Sequence, residues 1–101
     1  MLYYLGARVI HVPLLRDKTG LASFDGDALE AAMKQRPALL VFSNPNNPTG
    51  GVHSPASIEM IASLAIAHNV PVLVDQLYCR LVYGDTEFCH LMSVPGMAER
   101  T

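Results

Sequence analysis

The sequence predicts an α/β fold, a three-layer α/β/α arrangement around a mostly parallel sheet. The first observation is the order of patterns along the chain, which reads strand, helix, strand, helix, strand. The second is that two apolar runs, residues 38–42 and 70–74, show no polar alternation, which is typical of strands covered on both faces. Strands that alternate with helices usually form parallel sheets joined by right-handed crossovers.

The first part of the chain is less regular than the rest. Residues Met1 to Leu5 read as the last turn of a helix, and Gly6 is placed where a left-handed residue would end it. Residues 8–14 are rich in β-branched side chains and predict a strand. Residues 16–25 are polar and predict a loop.

The first complete helix has an acidic start. Asp25 or Asp27 can cap its N-terminus, and the helical spacing of apolar residues continues to about Arg36. Glu30 and Lys34 form a favourable pair four residues apart on the exposed side, worth about 0.2–0.5 kcal/mol. The proline that follows ends the helix, and the apolar run 38–42 begins directly after it.

The second helix has clear boundaries. Ser54 is a good N-cap and Pro55 occupies the preferred first position. One apolar stripe continues to about His68, and Asn69 ends the helix. The strand over residues 70–74 follows.

Composition limits the possible functions. The chain has 101 residues, 50% of them hydrophobic and 16% charged, which predicts one folded domain. Its net charge of −2 and its scattered basic residues argue against binding to nucleic acid or an anionic membrane. No apolar run approaches the roughly 18 residues that span a bilayer. Two cysteines and the lack of a signal peptide favour a reducing, cytoplasmic location.

Polar residues follow both apolar strands. Residues 44–50 come after the strand 38–42, and residues 75–78 come after the strand 70–74. Ligands of such folds bind beyond the carboxyl ends of parallel strands. Because a crossover helix joins the two strands, both polar segments should lie at the same rim of the sheet. This convergence is stronger evidence for a site than either segment alone.

Each residue of this rim also has a structural interpretation. Taken alone, Asp75 is more often a turn or cap residue, Tyr78 a half-buried packing residue, and Asn47 a side chain that caps its own turn. Asn44 and Asn46 are expected to serve only the turn. Tyr78 lies about one helical turn after Asp75, so its hydroxyl can face the same site.

The combination of segments resembles a known family. "SNPNNPTG" at 43–50 followed by "VLVDQLYCRLVYGD" at 72–85 looks like the large domain of class I/II, fold-type I aminotransferases, which depend on pyridoxal phosphate. The segments "FDGDALEAAM" and "LMSVPGMAERT" are also similar to those of the family. The resemblance implies that residues 1–101 form part of the cofactor-binding large domain, with no second domain present.

The resemblance also implies roles for individual residues. Asp75 would pair with the protonated pyridine nitrogen of pyridoxal 5'-phosphate, since a nearby anion favours the charged ring. Asn47 and Tyr78 would hydrogen-bond the phenolate oxygen of that ring. Pro48, through a cis Asn47–Pro48 bond, and Gly50 would shape the turn that carries Asn47.

The family's catalytic residue is not in this chain. Its Schiff-base lysine would follow a segment like "PGMAERT", whereas Lys18 lies in a predicted loop and Lys34 late on a helix. We therefore assign no catalytic residue, and we expect an internal piece of a larger enzyme with Ser-x-x-Lys within about a dozen residues after Thr101. Gln76 departs from the acidic residue that many relatives carry there, which affects subfamily placement only. Such a piece is expected to be marginally stable, because apolar faces and strand edges stay uncovered.

The function implied for the complete protein is transfer of an amino group between an amino acid and a 2-oxo acid, by a homodimer. Two alternatives remain: a non-catalytic aminotransferase-like domain, acting as a ligand sensor or dimerisation element, and another fold-type I enzyme such as a lyase. A nucleotide-binding domain is disfavoured because its glycine-rich motifs are absent.

A metal site is also disfavoured. The spacing of Cys79, Cys89 and His90 fits no structural zinc pattern. His11, His53 and His68 are expected to be ordinary surface residues, with His53 the nearest of them in sequence to the proline-rich turn.

Overall fold

A computed structural model describes residues 2–101. Five strands are present: β1 (Leu14–Arg16), β2 (Leu21–Phe24), β3 (Leu40–Ser43), β4 (Val52–His53) and β5 (Val72–Asp75). Two α-helices, α1 (Gly26–Lys34) and α2 (Pro55–His68), lie between them, and short 3₁₀ turns occur at Tyr3–Leu5 and Leu91–Ser93. Gly6 closes the first of these turns with a φ of 75°, as predicted, while Met1 lies outside the described residues.

The α/β class with parallel strand pairs is confirmed. β3 and β5 pair in parallel across the crossover formed by α2. The other strands form a second small sheet, in which β2 is antiparallel to β1 and parallel to β4.

Two predictions for the first part of the chain are wrong. The strand predicted over residues 8–14 begins only at Leu14, because Pro13 lacks the N–H that a sheet ladder needs. The loop predicted over residues 16–25 contains β2. A hairpin turn brings β2 back onto β1, and Asp17 organises that turn by accepting hydrogen bonds from the N–H groups of Thr19 (2.8 Å) and Leu21 (3.0 Å).

Helix α1 is capped by Asp25 rather than Asp27. The Asp25 carboxylate accepts a hydrogen bond from the N–H of Ala28 at 2.9 Å, which satisfies one of the donors left open at a helix start. The helix ends at Lys34, slightly earlier than predicted, and Lys34 pairs with Glu30 at 2.9 Å as expected.

Helix α2 follows its prediction at both ends. The Ser54 hydroxyl accepts from the N–H of Ser57 at 3.2 Å, and Pro55 takes the first position. Asn69 ends the helix in the left-handed conformation with a φ of 52°, which asparagine tolerates better than most residues.

The core lies between the helices and one face of β3 and β5. The two helices contact each other, so they cover the same side. On the opposite face of this two-stranded sheet Val41 and Leu73 remain 44% and 50% exposed. The largest buried core side chains are Phe24, Leu29, Met33, Phe42, Ile58, Ile61, Leu91 and Met97.

Within residues 2–101 every helix is too short or too polar to cross a bilayer.

The cap of α1 gives a stability prediction. Asp25→Ala leaves the Ala28 N–H without its side-chain acceptor, and we expect the free energy of unfolding to fall by about 1 kcal/mol. Asp25→Asn keeps an acceptor oxygen and should lose much less. Urea unfolding measures both. If Asp27→Ala proves more destabilising than Asp25→Ala, the cap belongs to Asp27 instead.

Candidate functional site

The carboxyl ends of β3 and β5 lie side by side. The strands pair in register with Ser43 opposite Asp75, and the N–H of Asn44 donates to the main-chain carbonyl of Asp75 at 2.9 Å. The loop after β3 and the turn after β5 therefore leave the sheet from one rim. The convergence that the sequence predicts is confirmed.

The loop after β3 is a closed turn. The N–H of Asn46 donates to the carbonyl of Gly51 at 2.8 Å, and the N–H of Gly50 donates to the carbonyl of Asn46 at 2.7 Å. Gly50 has a φ of 69°, a conformation that a side chain would disfavour. Both Asn–Pro bonds, at Pro45 and Pro48, are cis, which includes the one that was predicted.

The three asparagines of the loop differ in environment. Asn44 is fully buried, and its side-chain oxygen accepts from the N–H of His53 at 3.0 Å. The Asn46 amide donates to the Ser43 hydroxyl and accepts from that of Thr49. Asn47 is exposed, and within residues 2–101 its side chain takes part in no hydrogen bond to the protein. Asn46 thus serves the turn, as expected, whereas the buried Asn44 also bonds to His53 in β4, and Asn47 is open to a ligand.

The turn after β5 carries the other two predicted residues. Asp75 is exposed, and one of its carboxylate oxygens accepts from the N–H of Leu77 at 3.0 Å. This is the local bond by which aspartate stabilises turns, and the second oxygen remains open to a ligand. Tyr78 lies in the same turn with 36% of its surface exposed.

A buried histidine supports the loop from the core side. His53 is 1% exposed. The centroid of its ring lies 5.0 Å from that of the Phe24 ring and 5.1 Å from that of the Phe42 ring. Its Nδ1 is hydrogen-bonded to the Ser57 hydroxyl at 2.9 Å. Burial lowers the pKa of His53 from 6.5 to about 4. The expectation of a surface histidine is wrong for this residue, because the two phenylalanines enclose it.

Sequence reasoning singled out His53 among the histidines as the one nearest the loop but did not predict that it is buried beneath it. A buried neutral imidazole needs an aromatic or apolar enclosure. Here Phe24 and Phe42 supply it from two other strands, β2 and β3. The only available indication was its position just after the "NNPTGG" turn.

The remaining reactive side chains are placed away from any common centre. Among residues 2–101 the structure contains no group of three or more potential metal ligands. His90 is bound to the Gln76 side chain at 3.0 Å. Burial, and then the Glu87 carboxylate, raise the pKa of the Cys89 thiol, which disfavours its nucleophilic form.

Comparison with protein families gives one match over nearly the whole chain. The model of the family described as "Aminotransferase class I and II" matches residues 2–101.

The similar proteins include an enzyme of Mycobacterium tuberculosis. A curated relative named "Probable N-succinyldiaminopimelate aminotransferase DapC" is 41% identical over 95% of this chain and 24% of its own length. The solved structure of the N-succinyldiaminopimelate aminotransferase of that organism aligns with a TM-score of 0.88 and 36% identity, over 98% of this chain and 26% of that one. The chain thus spans about a quarter of the length of these relatives.

Two further solved structures share the fold. An aspartate aminotransferase of Rhodobacter sphaeroides aligns with a TM-score of 0.85 and 35% identity, over 91% of this chain and 24% of that one. A pyridoxal-phosphate-bound C–S lyase of Staphylococcus hominis aligns with a TM-score of 0.77 over 90% of this chain and 23% of that one; at 20% identity this likeness concerns the fold alone.

The buried histidine predicts a pH dependence of stability. At neutral pH His53 is neutral in both the folded and unfolded states. As the pH falls below 6.5 the unfolded chain binds the proton first, whereas the folded chain binds it only near pH 4. The free energy of unfolding should therefore decrease across this window, by up to about 3 kcal/mol at about 1.4 kcal/mol per pKa unit.

The matched variant is His53→Phe, which keeps an aromatic ring between Phe24 and Phe42 and removes the proton site. Denaturant unfolding between pH 7 and pH 4 should show a smaller loss of stability in this variant than in the wild type. Identical losses would show that another group causes the acid sensitivity.

Proposed function

This chain belongs to the class I and II aminotransferase family, and on that premise we propose that the complete protein is an aminotransferase that depends on pyridoxal 5'-phosphate. It transfers an amino group between an amino acid and a 2-oxo acid. In this proposal residues 1–101 are part of the cofactor-binding large domain and supply one wall of the cofactor site. The main support for this proposal is the 2.9 Å hydrogen bond from the Asn44 N–H to the Asp75 carbonyl, which holds the two polar segments at one rim.

The donor set at this rim fits the cofactor ring. A pyridinium nitrogen requires an anion, and Asp75 offers a carboxylate oxygen that no protein donor within residues 2–101 occupies. A phenolate oxygen requires hydrogen-bond donors, and the Asn47 amide and the Tyr78 hydroxyl both supply them. All three side chains are exposed, so a ligand can reach each one.

The residues of this chain would prepare the ring electronically and orient it. Bound at this rim, the cofactor supplies an electron sink for negative charge that develops at the α-carbon of an amino acid. Asp75 would keep the ring nitrogen protonated, because a neighbouring carboxylate stabilises the cationic form. Asn47 and Tyr78 would hydrogen-bond the phenolate oxygen of the ring, and Pro48 and Gly50 would hold the backbone that carries Asn47.

A lyase that uses the same cofactor is the second candidate function. The ring contacts proposed here would serve either reaction, so they do not separate a transferase from a lyase. Product analysis separates the two, since a C–S lyase releases a thiol, ammonia and a 2-oxo acid from one sulfur-containing amino acid and needs no second 2-oxo acid as acceptor. A homodimeric assembly and a cytoplasmic location complete the proposal.

The role of Asp75 is tested in the full-length protein. Asp75→Asn keeps the turn bond to the Leu77 N–H but removes the charge that holds the ring nitrogen protonated. We expect the transamination rate to fall by roughly 100-fold or more, since electrostatic stabilisation of this kind is worth several kcal/mol. The unfolding midpoint should stay within the experimental error of the wild type. Near-normal transamination by the variant would remove the role assigned to Asp75.

The two lysines of this chain give a second test. Lys34 is paired with Glu30 on the helix α1, whose end leads to the start of β3 and so lies away from the rim. Lys18 is exposed in the hairpin turn between β1 and β2. We therefore expect that borohydride reduction of the 101-residue chain with pyridoxal phosphate gives no stoichiometric adduct at either lysine. Mass spectrometry of the peptides measures this, and full labelling of Lys18 or Lys34 would contradict it.

A further inference from the structure

The buried asparagine at the start of the loop is not explained by the turn alone. Asn44 is fully buried, and its side-chain nitrogen has no hydrogen-bond partner in the structure. Leaving a buried donor unsatisfied costs about 1–3 kcal/mol. Asn46, in contrast, holds the turn with both ends of its amide satisfied. The Asn44 side chain is therefore retained at a cost in stability that the turn alone does not explain.

One side-chain bond and one main-chain bond of Asn44 join three elements at one point. The N–H of Asn44 donates to the carbonyl of Asp75 at the end of β5 (2.9 Å). Its side-chain oxygen accepts from the N–H of His53 in β4 (3.0 Å). Asn44 itself directly follows β3. It therefore ties the start of the loop to its return strand and both of these to the strand that carries Asp75.

The return strand is itself fixed to the core. The ring of His53 packs between Phe24 and Phe42, and its Nδ1 is bonded to Ser57 on α2. The position of the loop base is therefore set by closely packed side chains, which adopt few alternative arrangements. The exposed apex, where Asn47 lies, gets its placement from this base through the closed turn.

We propose that Asn44 is a positioning residue that holds Asn47 and Asp75 at a fixed separation, so that both reach the same cofactor ring. The inference rests on the cofactor site proposed above. Asn44 makes no contact with the ring in this proposal. Its effect on the reaction is transmitted through the loop base and through the main chain of Asp75.

The test compares two variants of the full-length protein. Asn44→Ala removes the acceptor of the His53 N–H and so releases the loop base from β4, while the main-chain bond to Asp75 remains. Asp25→Ala is the control, because it removes a helix cap and lowers stability but leaves every hydrogen bond of the loop base in place. Three quantities are measured in each: the dissociation constant for pyridoxal phosphate, the pH midpoint of the visible absorption band of the bound cofactor, and kcat and KM separately.

For Asn44→Ala we expect kcat to fall on the order of tenfold to hundredfold, as small misplacements of reacting groups do. The dissociation constant for pyridoxal phosphate should rise and the pH midpoint of the absorption band should shift, because the Asn47 amide would no longer be aligned to donate a hydrogen bond to the ring oxygen. Asp25→Ala should leave all three unchanged. If Asn44→Ala loses stability but matches the control in all three quantities, Asn44 is only structural and the proposal is overturned.

Failure of the proposed function gives a different result. In that case the wild-type protein itself binds no pyridoxal phosphate, and both proposals fall together. If the wild type binds pyridoxal phosphate and Asn44→Ala matches the control in all three quantities, only the positioning role is overturned.

If Asn44→Ala does not fold, amide hydrogen exchange in the wild-type protein tests the positioning role instead. The His53 N–H should exchange as slowly as the buried amides of α2, and the Asn47 N–H, which has no partner within residues 2–101, should exchange quickly. Addition of pyridoxal phosphate should slow exchange at His53 further, since binding at the apex stabilises the base. Exchange at His53 that is fast, or that does not respond to the cofactor, would overturn the proposal.

Discussion

The parallel pairing of β3 with β5 is the constraint on which the candidate site depends. Its register sets Ser43 opposite Asp75, so the two polar segments emerge together at the rim. Side chains alternate between the faces of a strand, and a slip by one residue would turn Asp75 toward the other face. The hydrogen bond from Asn44 to the Asp75 carbonyl continues the ladder one residue beyond the strands and carries this register into the loop.

Buried polar groups then extend the order of the sheet into that loop. His53 and Asn44 are both almost fully buried, and each has one polar atom without a partner. Replacing such buried polar groups by apolar groups of the same shape can be nearly neutral or even stabilising. Local departures from the best packing are expected where a fold supports a site. Here the departure lies at the base of a loop whose apex, Asn47, is exposed and would contact the cofactor in the proposed function.

Local patterns were sufficient to predict the two helices, both ends of α2 and the shared rim, and they narrowed the cap of α1 to Asp25 or Asp27. Ser54, Asp25 and Asn69 act through hydrogen bonds or backbone conformations within a few residues, so the sequence around them contains the necessary information. The parallel pair β3–β5 was predictable because two uninterrupted apolar runs flank one helix.

Contacts between distant segments account for what could not be predicted. β4 has only two residues, and its partner β2 lies far earlier in the chain. Neither strand has a pattern long enough to identify it alone. The burial of His53 depends on Phe24 and Phe42 meeting around it, and no periodicity within either segment indicates that meeting.

The exposure of Asp75 bears on which ligand the rim can accept. In the free chain water solvates its carboxylate, and the Leu77 N–H is its one protein donor. A bound ring would displace that water, and an unpaired carboxylate held against a neutral ring would cost several kcal/mol. A ring that is cationic at this point avoids that cost, and the pairing in turn keeps the ring protonated. In the proposed function the rim would therefore favour a cationic ring, whereas the ring contacts proposed for Asn47, Asp75 and Tyr78 would leave the choice of amino acid to groups that contact the substrate.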